Sequence, residues 1–450
     1  MKFIKVLLAS LLLASLPLSA MLTGCKAESE PGTSKIDWSN HRECASQFVM
    51  ALVAGDYTIA AEGFNDEMKE AMSVVRLRQT WEDIIAEAGA FEEIVSVNQV
   101  PNAEYDIFEI VTKHENTGLN SRLVLTDDDQ VAGLFFSFVD LGMEEPYRGS
   151  EPQQRDGYTD FPVTVGEGSD YPLPGLLSIP DNAEGPLTAV VLVHGSGPQN
   201  MDEALYGIAP FRDIADYLAS NGIAVLRYDK RTYVHATTLT IQYGDDLTVY
   251  EETIQDALRA LDLLASDERI DAGRIFVIGH SMGGMLLPRI MGESDGGFAG
   301  GIIMAGSPRS MLELIYDQNQ YLLDITEMSD AERAAMVEQI DAARDNYFYL
   351  SEHYFTEMDS HPAADYLQQI DKPILIMQGG KDFQVYADKD YVLYQEIAAG
   401  RSNFEFRLYD NLTHMFTQSS MDKPSVADYV SGAKVDGQPL ADMLAWLQAH

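Results

Sequence analysis

A short apolar run that leads straight into a glycine-rich turn constrains this sequence more than any other feature. Residues 275–278 are all apolar, and Gly279-His280-Ser281-Met282-Gly283 follows them directly. A buried strand, a Gly-x-Ser-x-Gly turn and a following helix are the setting that a nucleophilic serine requires. Glycines let the strand and the helix approach closely while the turn holds the serine hydroxyl clear of the sheet. Taken alone, the pattern also fits a purely structural turn.

Beyond residue 157, predicted strands and helices alternate along the chain. This alternation is typical of an α/β fold with a largely parallel sheet. Several of the strands are apolar throughout, as expected when helices cover both faces of a sheet. The sequence predicts eight strands, at 161–165, 175–179, 189–193, 224–228, 275–278, 301–304, 374–377 and 404–408, with helices that include 211–219, 253–265 and 440–447.

Two later strands end in residues that can serve the Ser281 hydroxyl. Asp382 follows the strand at 374–377 and a pair of glycines, and His414 lies in the loop after the strand at 404–408. Open α/β sheets place their sites at the carboxyl ends of strands, so these residues are candidate partners. In this interpretation His414 takes the serine proton and Asp382 fixes the imidazole tautomer. Taken singly, Asp382 could be a turn residue and His414 a loop histidine.

A second glycine-rich turn, His-Gly-Ser-Gly-Pro at 194–198, follows the strand at 189–193. Its N–H groups, with the N–H after the nucleophile, can form an oxyanion hole for the charge of a tetrahedral intermediate. The predicted donors are Ser196 and Met282. A phosphate-binding loop is excluded because no Gly-Lys-Ser/Thr follows. His194 and His280 border glycines at strand ends and are predicted to be structural hydrogen-bond partners.

Together these motifs resemble a bacterial group of α/β-hydrolases, the carboxylesterases with an extra N-terminal domain, to which thermophilic esterase D belongs. The resemblance covers about residues 155–450. It implies an α/β-hydrolase fold and a serine esterase that cleaves small-molecule carboxylic esters with Ser281, Asp382 and His414, without a cofactor. The matching segments are 194–198, Arg-Tyr-Asp-Lys-Arg at 227–231, Gly-His-Ser-Met-Gly-Gly at 279–284, Gly-Gly-Lys-Asp at 379–382 and Leu-Thr-His at 412–414.

Other functions on the same fold stay open. A serine aminopeptidase needs carboxylates that bind the substrate amine, and Glu251 and Glu252 are candidates for that role. An acyltransferase would use the same nucleophile, and a surface binding protein could reuse the scaffold, because a fold does not fix function. An intact triad argues against the binding protein.

The alternation of strands and helices is interrupted at about 307–369. The position of this insertion after a late strand makes it a candidate lid over an apolar acyl or aryl pocket. The alternative is a helical pair that packs its aromatic residues as its own core. These aromatic residues are Tyr316, Tyr321, Tyr347, Phe348, Tyr349, Tyr354 and Phe355.

The first 25 residues have the features of an export signal. Lys2 and Lys5 precede an apolar run that is interrupted by Pro17, so a transmembrane helix is disfavoured. The ending, Leu-Thr-Gly-Cys at 22–25, resembles a bacterial lipoprotein box. That resemblance implies cleavage before Cys25, lipid attachment to its sulfur and a location at the extracytoplasmic face of the cell membrane. The alternative is ordinary secretion with a chance cysteine. Residues 26–37 have the composition of a tether.

Residues 38–142 carry no catalytic motif. Helical periodicity precedes four strand-like stretches, which predicts a small α+β domain. It loosely resembles the cystatin-like or nuclear-transport-factor-like domains that precede some bacterial hydrolases. His114 is predicted to be a surface residue of a strand. A polar linker at 143–156 separates this domain from the catalytic domain at 157–450.

Composition narrows the possible partners. With 71 acidic and 30 basic residues the formal charge is −41. Such a chain repels phosphate backbones and acidic head groups, so we expect no nucleic-acid partner and no membrane contact beyond the N-terminal lipid. The two cysteines form no C-x-x-C motif, and His-Glu-x-x-His is absent, so no metal site is predicted.

Overall fold

The structure of the protein is a computed structural model that describes residues 35–100, 105–139, 146–181, 185–205, 207–326, 328–347, 351–429 and 433–450. The predicted export signal, Cys25 and most of the tether lie outside these residues, as do Phe348 and Tyr349 of the predicted lid. The chain divides into two compact units, which meet in the sequence between residues 143 and 144.

In its described residues, the N-terminal unit places four helices before a four-stranded meander. The sheet has the order β1-β2-β3-β4, and each neighbouring pair is antiparallel. Side chains from the helices, such as Phe48 and Trp81, share one core with Ile110 and Leu123 of the sheet. The elements are α1 (His41–Val53), α2 (Tyr57–Ala61), α3 (Asp66–Ala71), α4 (Val74–Ala88), β1 (Phe91–Val100), β2 (Asp106–His114), β3 (Gly118–Leu125) and β4 (Val131–Val139).

The prediction that His114 lies on the surface is wrong. This residue ends β2, pairs with Phe91 of β1 and is 2% exposed. Its Nε2 lies 3.0 Å from Thr112 Oγ1, and its Nδ1 lies 3.2 Å from the Gly89 carbonyl. Trp81 of α4 packs against the ring, and burial lowers the pKa of His114. The end of the strand is covered by a helix, a long-range contact that strand periodicity does not encode.

The C-terminal unit alternates strands and helices. Its elements before the glycine-rich elbow are β5 (Gln153–Gln154), β6 (Tyr158–Val165), β7 (Leu173–Pro180), β8 (Leu187–Val193), α5 (Pro210–Ser220), β9 (Ala224–Tyr228), α6 (Arg231–Val234), α7 (Ala236–Gln242), α8 (Gln255–Ser266) and β10 (Ile270–His280). A π-helical turn at Tyr250–Ile254 leads into α8. The elements after the elbow are α9 (Met282–Glu293), β11 (Gly300–Met304), α10 (Met311–Ile325), α11 (Asp330–Asp345), α12 (Glu352–Asp359), α13 (Ala363–Leu367), β12 (Ile374–Gly379), α14 (Val392–Ile397), β13 (Phe404–Tyr409) and α15 (Gly437–Ala449).

Within the described part of this unit, the sheet has nine strands in the order β13-β12-β11-β10-β8-β9-β7-β6-β5. The six from β13 to β9 are parallel, and the remaining three pair antiparallel at one edge. All eight predicted strands are present. The ninth, β5, falls in the predicted linker and corrects the expected count of eight. Two polar residues are too short to produce a strand pattern, so the sequence carried no signal for β5.

Both faces of this sheet are covered at its centre, which explains why several of its strands are apolar throughout. Along β8, Val190 and Leu192 share a core with α5 and α15, whereas Val191 and Val193 share a core with α8 and α9. All four side chains are fully buried. The predicted α/β architecture is therefore confirmed, with the carboxyl ends of the parallel strands along one edge.

The predicted insertion is helical, with α10 to α13 between β11 and β12. Some of its aromatic residues pack within the fold: Tyr354 and Phe355 are buried, and the rings of Tyr347 and Phe355 stack 5.9 Å apart. The Tyr354 hydroxyl lies 3.7 Å from Met282 Sδ, so the insertion reaches the residue after Ser281. Its role as a lid stays a prediction.

Candidate active site

Ser281 occupies a strained turn between β10 and α9. Its backbone has φ 53° and ψ −117°, a conformation that costs a non-glycine residue about 1–3 kcal/mol. The Ser281 N–H donates to the Met304 carbonyl at 2.9 Å, which ties the turn to β11. A Cβ on Gly283 would lie 2.2 Å from the Val193 carbonyl oxygen, so only glycine lets α9 pack this closely on β8. This is the geometry that a nucleophile elbow requires.

Asp382 and His414 are brought together by the ends of β12 and β13. Gly379, the last residue of β12, would carry a Cβ only 2.4 Å from the Leu412 carbonyl oxygen. The glycine therefore lets the loop that carries His414 pass directly over the end of β12. His414 Nδ1 lies 2.8 Å from Asp382 Oδ2, and both side chains are buried.

The carboxylate of Asp382 is held in four places. Its Oδ2 contacts His414 Nδ1 and accepts from Gln378 Nε2 at 2.9 Å. Its Oδ1 accepts from the N–H groups of Gln384 and Val385, at 2.8 and 2.9 Å. Because a carboxylate only accepts, Nδ1 of His414 carries the hydrogen, and in a neutral ring Nε2 is left as an acceptor. That is the tautomer that a base for Ser281 requires.

The turn with Ser281 and the loop with His414 also touch each other. His280 Nε2 lies 3.0 Å from the His414 carbonyl oxygen, and the two rings are 4.8 Å apart. Within this described region the side chains of Ser281 and His414 do not form a hydrogen bond. Such contacts are often long without substrate and tighten when it binds. The structure thus joins two predicted residues directly and places the third beside them.

The predicted oxyanion donors flank the nucleophile. A Cβ on Gly195 would lie 3.2 Å from Ser281 Cβ and 3.6 Å from its Oγ, so the 194–198 turn faces the serine. Met282 is the first residue of α9, where helix N–H groups have no partner in the helix and carry partial positive charge. Among the described residues, none accepts a hydrogen bond from the N–H of Ser196 or of Met282. Both N–H groups are free to bind an anion.

His194 and His280 are hydrogen-bonded structural residues, as predicted. His194 Nε2 lies 3.0 Å from the Asn200 carbonyl oxygen, and burial lowers the pKa of His194 to about 4. His280 Nδ1 lies 2.9 Å from a carboxylate oxygen of Glu203. Glu203 is a residue that sequence reasoning missed, because the polar loop that carries it has no motif of its own.

The charged segment 227–231 holds the surrounding loops through buried ion pairs. Arg227 Nε lies 3.0 Å from Asp202 Oδ1, and Arg231 Nε lies 2.8 Å from Asp256 Oδ2. Lys230 Nζ lies 2.6 Å from Glu252 Oε1 and donates to the Gly195 carbonyl at 2.9 Å. The last contact links this segment to the predicted oxyanion hole.

Within the described ranges, no group of three or more His, Cys, Asp or Glu side chains is placed to hold a metal ion. The same ranges contain no helix that is long and apolar enough to span a membrane. Between α9 and the insertion lies a cavity of about 220 Å³, lined by residues that include Met285, Met311 and Met358.

Two protein families match parts of the chain. The family described as "Protein of unknown function (DUF3887)" matches residues 45–134, and the "Prolyl oligopeptidase family" matches residues 217–431. The second match includes Ser281, Asp382 and His414.

Known esterases resemble the chain at different levels. Est1E from Butyrivibrio proteoclasticus is 15% identical, with a TM-score of 0.42, over 64% of this chain and 99% of its own. Esterase PF2001 from Pyrococcus furiosus is 17% identical, with a TM-score of 0.40, over 60% of this chain and 91% of its own. Similarities this low carry no functional argument. Esterase EstD of Thermotoga maritima is 31% identical over 406 residues, which cover 89% of this chain and 93% of EstD. With this identity along most of both proteins, the chain belongs to the esterase EstD family of α/β-hydrolases.

Proposed function

We propose that this protein is a serine esterase that cleaves small-molecule carboxylic esters through an acyl-enzyme intermediate on Ser281. The observation that carries the proposal is the 2.8 Å contact between His414 Nδ1 and Asp382 Oδ2 beside the strained Ser281 turn. A structural turn would need neither the backbone strain nor a buried histidine held in one tautomer. The family relationship to an esterase supports the same chemistry.

In the first half of the reaction, the acyl group moves to the enzyme. His414 Nε2 takes the Ser281 hydroxyl proton while Oγ attacks the ester carbonyl carbon. The carbonyl oxygen becomes negative, and the N–H groups of Ser196 and Met282 stabilise it. When the intermediate collapses, the bond to the alcohol oxygen breaks, and His414 gives its proton to that oxygen. Asp382 stabilises the imidazolium throughout.

In the second half, water takes the place of the alcohol. His414 removes a proton from water, whose oxygen attacks the acyl carbon, and the same N–H groups stabilise the new negative oxygen. Collapse breaks the bond to Ser281 Oγ, which recovers its proton from His414. The products are one alcohol and one carboxylic acid, and the enzyme returns to its starting state.

The carboxylates that an aminopeptidase would need are already engaged. Glu252 is buried between Lys230 Nζ and the Tyr354 hydroxyl, at 2.6 and 2.7 Å. Glu251 accepts from the backbone N–H of Thr248 at 3.2 Å and from its hydroxyl. Both carboxylates therefore already have partners within the fold, and this arrangement favours esters over aminoacyl amides.

A panel of p-nitrophenyl esters and aminoacyl anilides tests the proposal. We expect hydrolysis of the esters, little hydrolysis of the anilides, and covalent labelling of Ser281 by a fluorophosphonate. Ser281→Ala should abolish both labelling and turnover. Ser294→Ala, in the same segment but beyond the end of α9, is the matched control and should behave as the unmodified protein. A folded Ser281→Ala protein with full ester hydrolysis would refute the assignment.

We also propose that the protein is anchored by lipid on Cys25 at the extracytoplasmic face of the cell membrane. The support is the Leu-Thr-Gly-Cys ending of the predicted export signal at 22–25. The anchor would place the catalytic unit where exogenous esters reach it without crossing the membrane.

A further inference from the structure

Gly195, which faces the nucleophile, has both of its backbone polar groups bound by buried charged side chains. Its N–H donates to Glu203 Oε1 at 2.6 Å. Its carbonyl oxygen accepts from Lys230 Nζ at 2.9 Å. Glu203 and Lys230 are each 2% exposed. We call these two side chains the Gly195 clamp.

The clamp determines where the predicted oxyanion donor points. The carbonyl of Gly195 and the N–H of Ser196 belong to one planar trans peptide, in which they point in opposite directions. A side chain that fixes the carbonyl therefore fixes the N–H. The positive charge of Lys230 on the carbonyl also polarises this peptide and strengthens the Ser196 N–H as a donor.

Glu203 is held in place by a second charged group. Its Oε2 lies 2.9 Å from His280 Nδ1, while His280 Nε2 faces the His414 carbonyl oxygen at 3.0 Å. Both partners of the ring are acceptors, so both ring nitrogens must carry hydrogen and His280 is an imidazolium. Burial opposes that charge, but Glu203 outweighs it and raises the pKa of His280. One ion pair thus spans the oxyanion turn and the loop of the catalytic histidine.

Lys230 is balanced from the other side of the site. It pairs with Glu252 in the π-helical turn, and Glu252 accepts from the Tyr354 hydroxyl of α12. The clamp is therefore anchored to the helical insertion as well. The backbone of Glu203 has φ 51°. Residues other than glycine rarely adopt this conformation, and where they do, the residue often belongs to a functional site.

We propose that Glu203 and Lys230 are positioning residues for the oxyanion hole, which aim the Ser196 N–H by holding the two polar groups of Gly195. The inference rests on the proposed esterase function. Two buried ion pairs at one glycine are a costly way to stabilise a loop, since burying charges often costs as much as their attraction returns. In exchange, the two ion pairs hold the peptide between Gly195 and Ser196 so that it does not need to reorganise when the oxyanion forms.

The first arm of the test removes the hold on the carbonyl without leaving a buried charge. In Lys230→Met/Glu252→Gln both members of the ion pair become neutral, and the oxygen of the new glutamine amide can still accept from the Tyr354 hydroxyl. Removing one oxyanion donor elsewhere costs about 10²–10³ in kcat, so misaiming one should cost roughly 10- to 100-fold. KM should change by less than about threefold, because the lost interaction acts on the transition state. A phenylboronic acid, whose tetrahedral adduct occupies the oxyanion hole, should bind weaker by a similar factor.

The second arm removes the hold on the N–H. Glu203→Leu should lower kcat by a similar factor, whereas Glu203→Gln should keep kcat within about threefold. Glutamine can accept from Gly195 with its oxygen and donate to a neutral His280 with its amide nitrogen, so every hydrogen bond is kept. Because the two arms remove different contacts, either one decides the question if the other variant does not fold.

The matched control is Arg231→Met/Asp256→Asn. This buried ion pair is next to Lys230 in the sequence but does not touch Gly195. It should lower the melting temperature and leave kcat and boronic-acid affinity within about twofold. The inference is overturned if Lys230→Met/Glu252→Gln and Glu203→Leu, or whichever of the two is folded at the assay temperature, keep the unmodified kcat and boronic-acid affinity. It is also overturned if the control loses as much as they do. The esterase assignment has its own test in Ser281→Ala, so the two failures are distinguishable.

Discussion

Replacing Asp382 by asparagine reverses the tautomer of His414 while leaving the loop almost intact. The backbone N–H groups of Gln384 and Val385 both point at Oδ1, so the new amide must keep its oxygen there. The NH₂ group then takes the place of Oδ2 and faces His414 Nδ1. Because an NH₂ group only donates, Nδ1 has to accept, and the ring hydrogen moves to Nε2. A ring with hydrogen on Nε2 cannot take a proton from Ser281.

The structure separates the catalytic cost of this change from its cost in stability. The same change in a serine protease lowers kcat by about 10⁴, which corresponds to about 5 kcal/mol of barrier at about 1.4 kcal/mol per tenfold. The new NH₂ group also faces Gln378 Nε2, a second donor. Gln378 Nε2 still has the carbonyls of Gly379 and Val385 for its two hydrogens, so the stability cost stays near the low end, about 1 kcal/mol.

A p-nitrophenyl ester assay and a thermal melt measure the two effects on the same preparation. We expect kcat to fall by about four orders of magnitude and Tm to fall by only about 2–4 °C. Asp388→Asn is the matched control, since this exposed carboxylate lies six positions further along the same segment. It should leave both quantities unchanged. A folded Asp382→Asn protein that keeps more than about a tenth of the unmodified kcat would refute the role given to Asp382.

Three further predictions concern other residues. Cys25→Ser should release the protein from membranes or block its processing, as measured by fractionation and mature mass; unchanged results would exclude the lipid anchor. Burial, with Asp129 and Asp37, raises the pKa of the Cys44 thiol to about 12, so iodoacetamide at pH 8 should alkylate it only after unfolding, as read from peptide masses; labelling at equal rates in the folded protein would contradict this. The pKa of His194 is about 4 in the folded protein and about 6.5 in the unfolded chain, so between these pH values only the unfolded chain binds the proton. Acidification from about pH 6.5 to about pH 4 should therefore lower the free energy of unfolding by about 3 kcal/mol. His194→Gln should lose less of its Tm between pH 7 and 4 than the unmodified protein, and parallel curves would contradict the cause.

The fold and the candidate triad were predictable because their constraints are local. Apolar runs of four or five residues mark most of the parallel strands, and the Gly-x-Ser-x-Gly turn must follow one of them. Gly283 and Gly379 lie where a Cβ would collide with a backbone carbonyl. The close backbone contacts that form the site therefore require glycine at these two positions, and the sequence shows both glycines. The order Ser281, Asp382, His414 then assigned the roles. Strand β5 and the burial of His114 escaped because neither has a local pattern.

The long-range contacts that hold the site together have no such signature. Glu203 and His280 meet across 77 positions, Lys230 and Gly195 across 35, and Glu252 and Tyr354 across 102. A hydrogen bond between residues so far apart in the sequence depends on the register and twist of the whole sheet, which no local pattern encodes. In a sequence with 71 acidic residues, Glu203 and Glu252 were indistinguishable from solvated surface carboxylates. Only their burial and their links to Gly195, direct for Glu203 and through Lys230 for Glu252, separate them from the rest. A search for the motifs would therefore tolerate substitutions at Glu203, whereas the geometry of the clamp predicts that such substitutions slow the esterase without removing any residue of the triad.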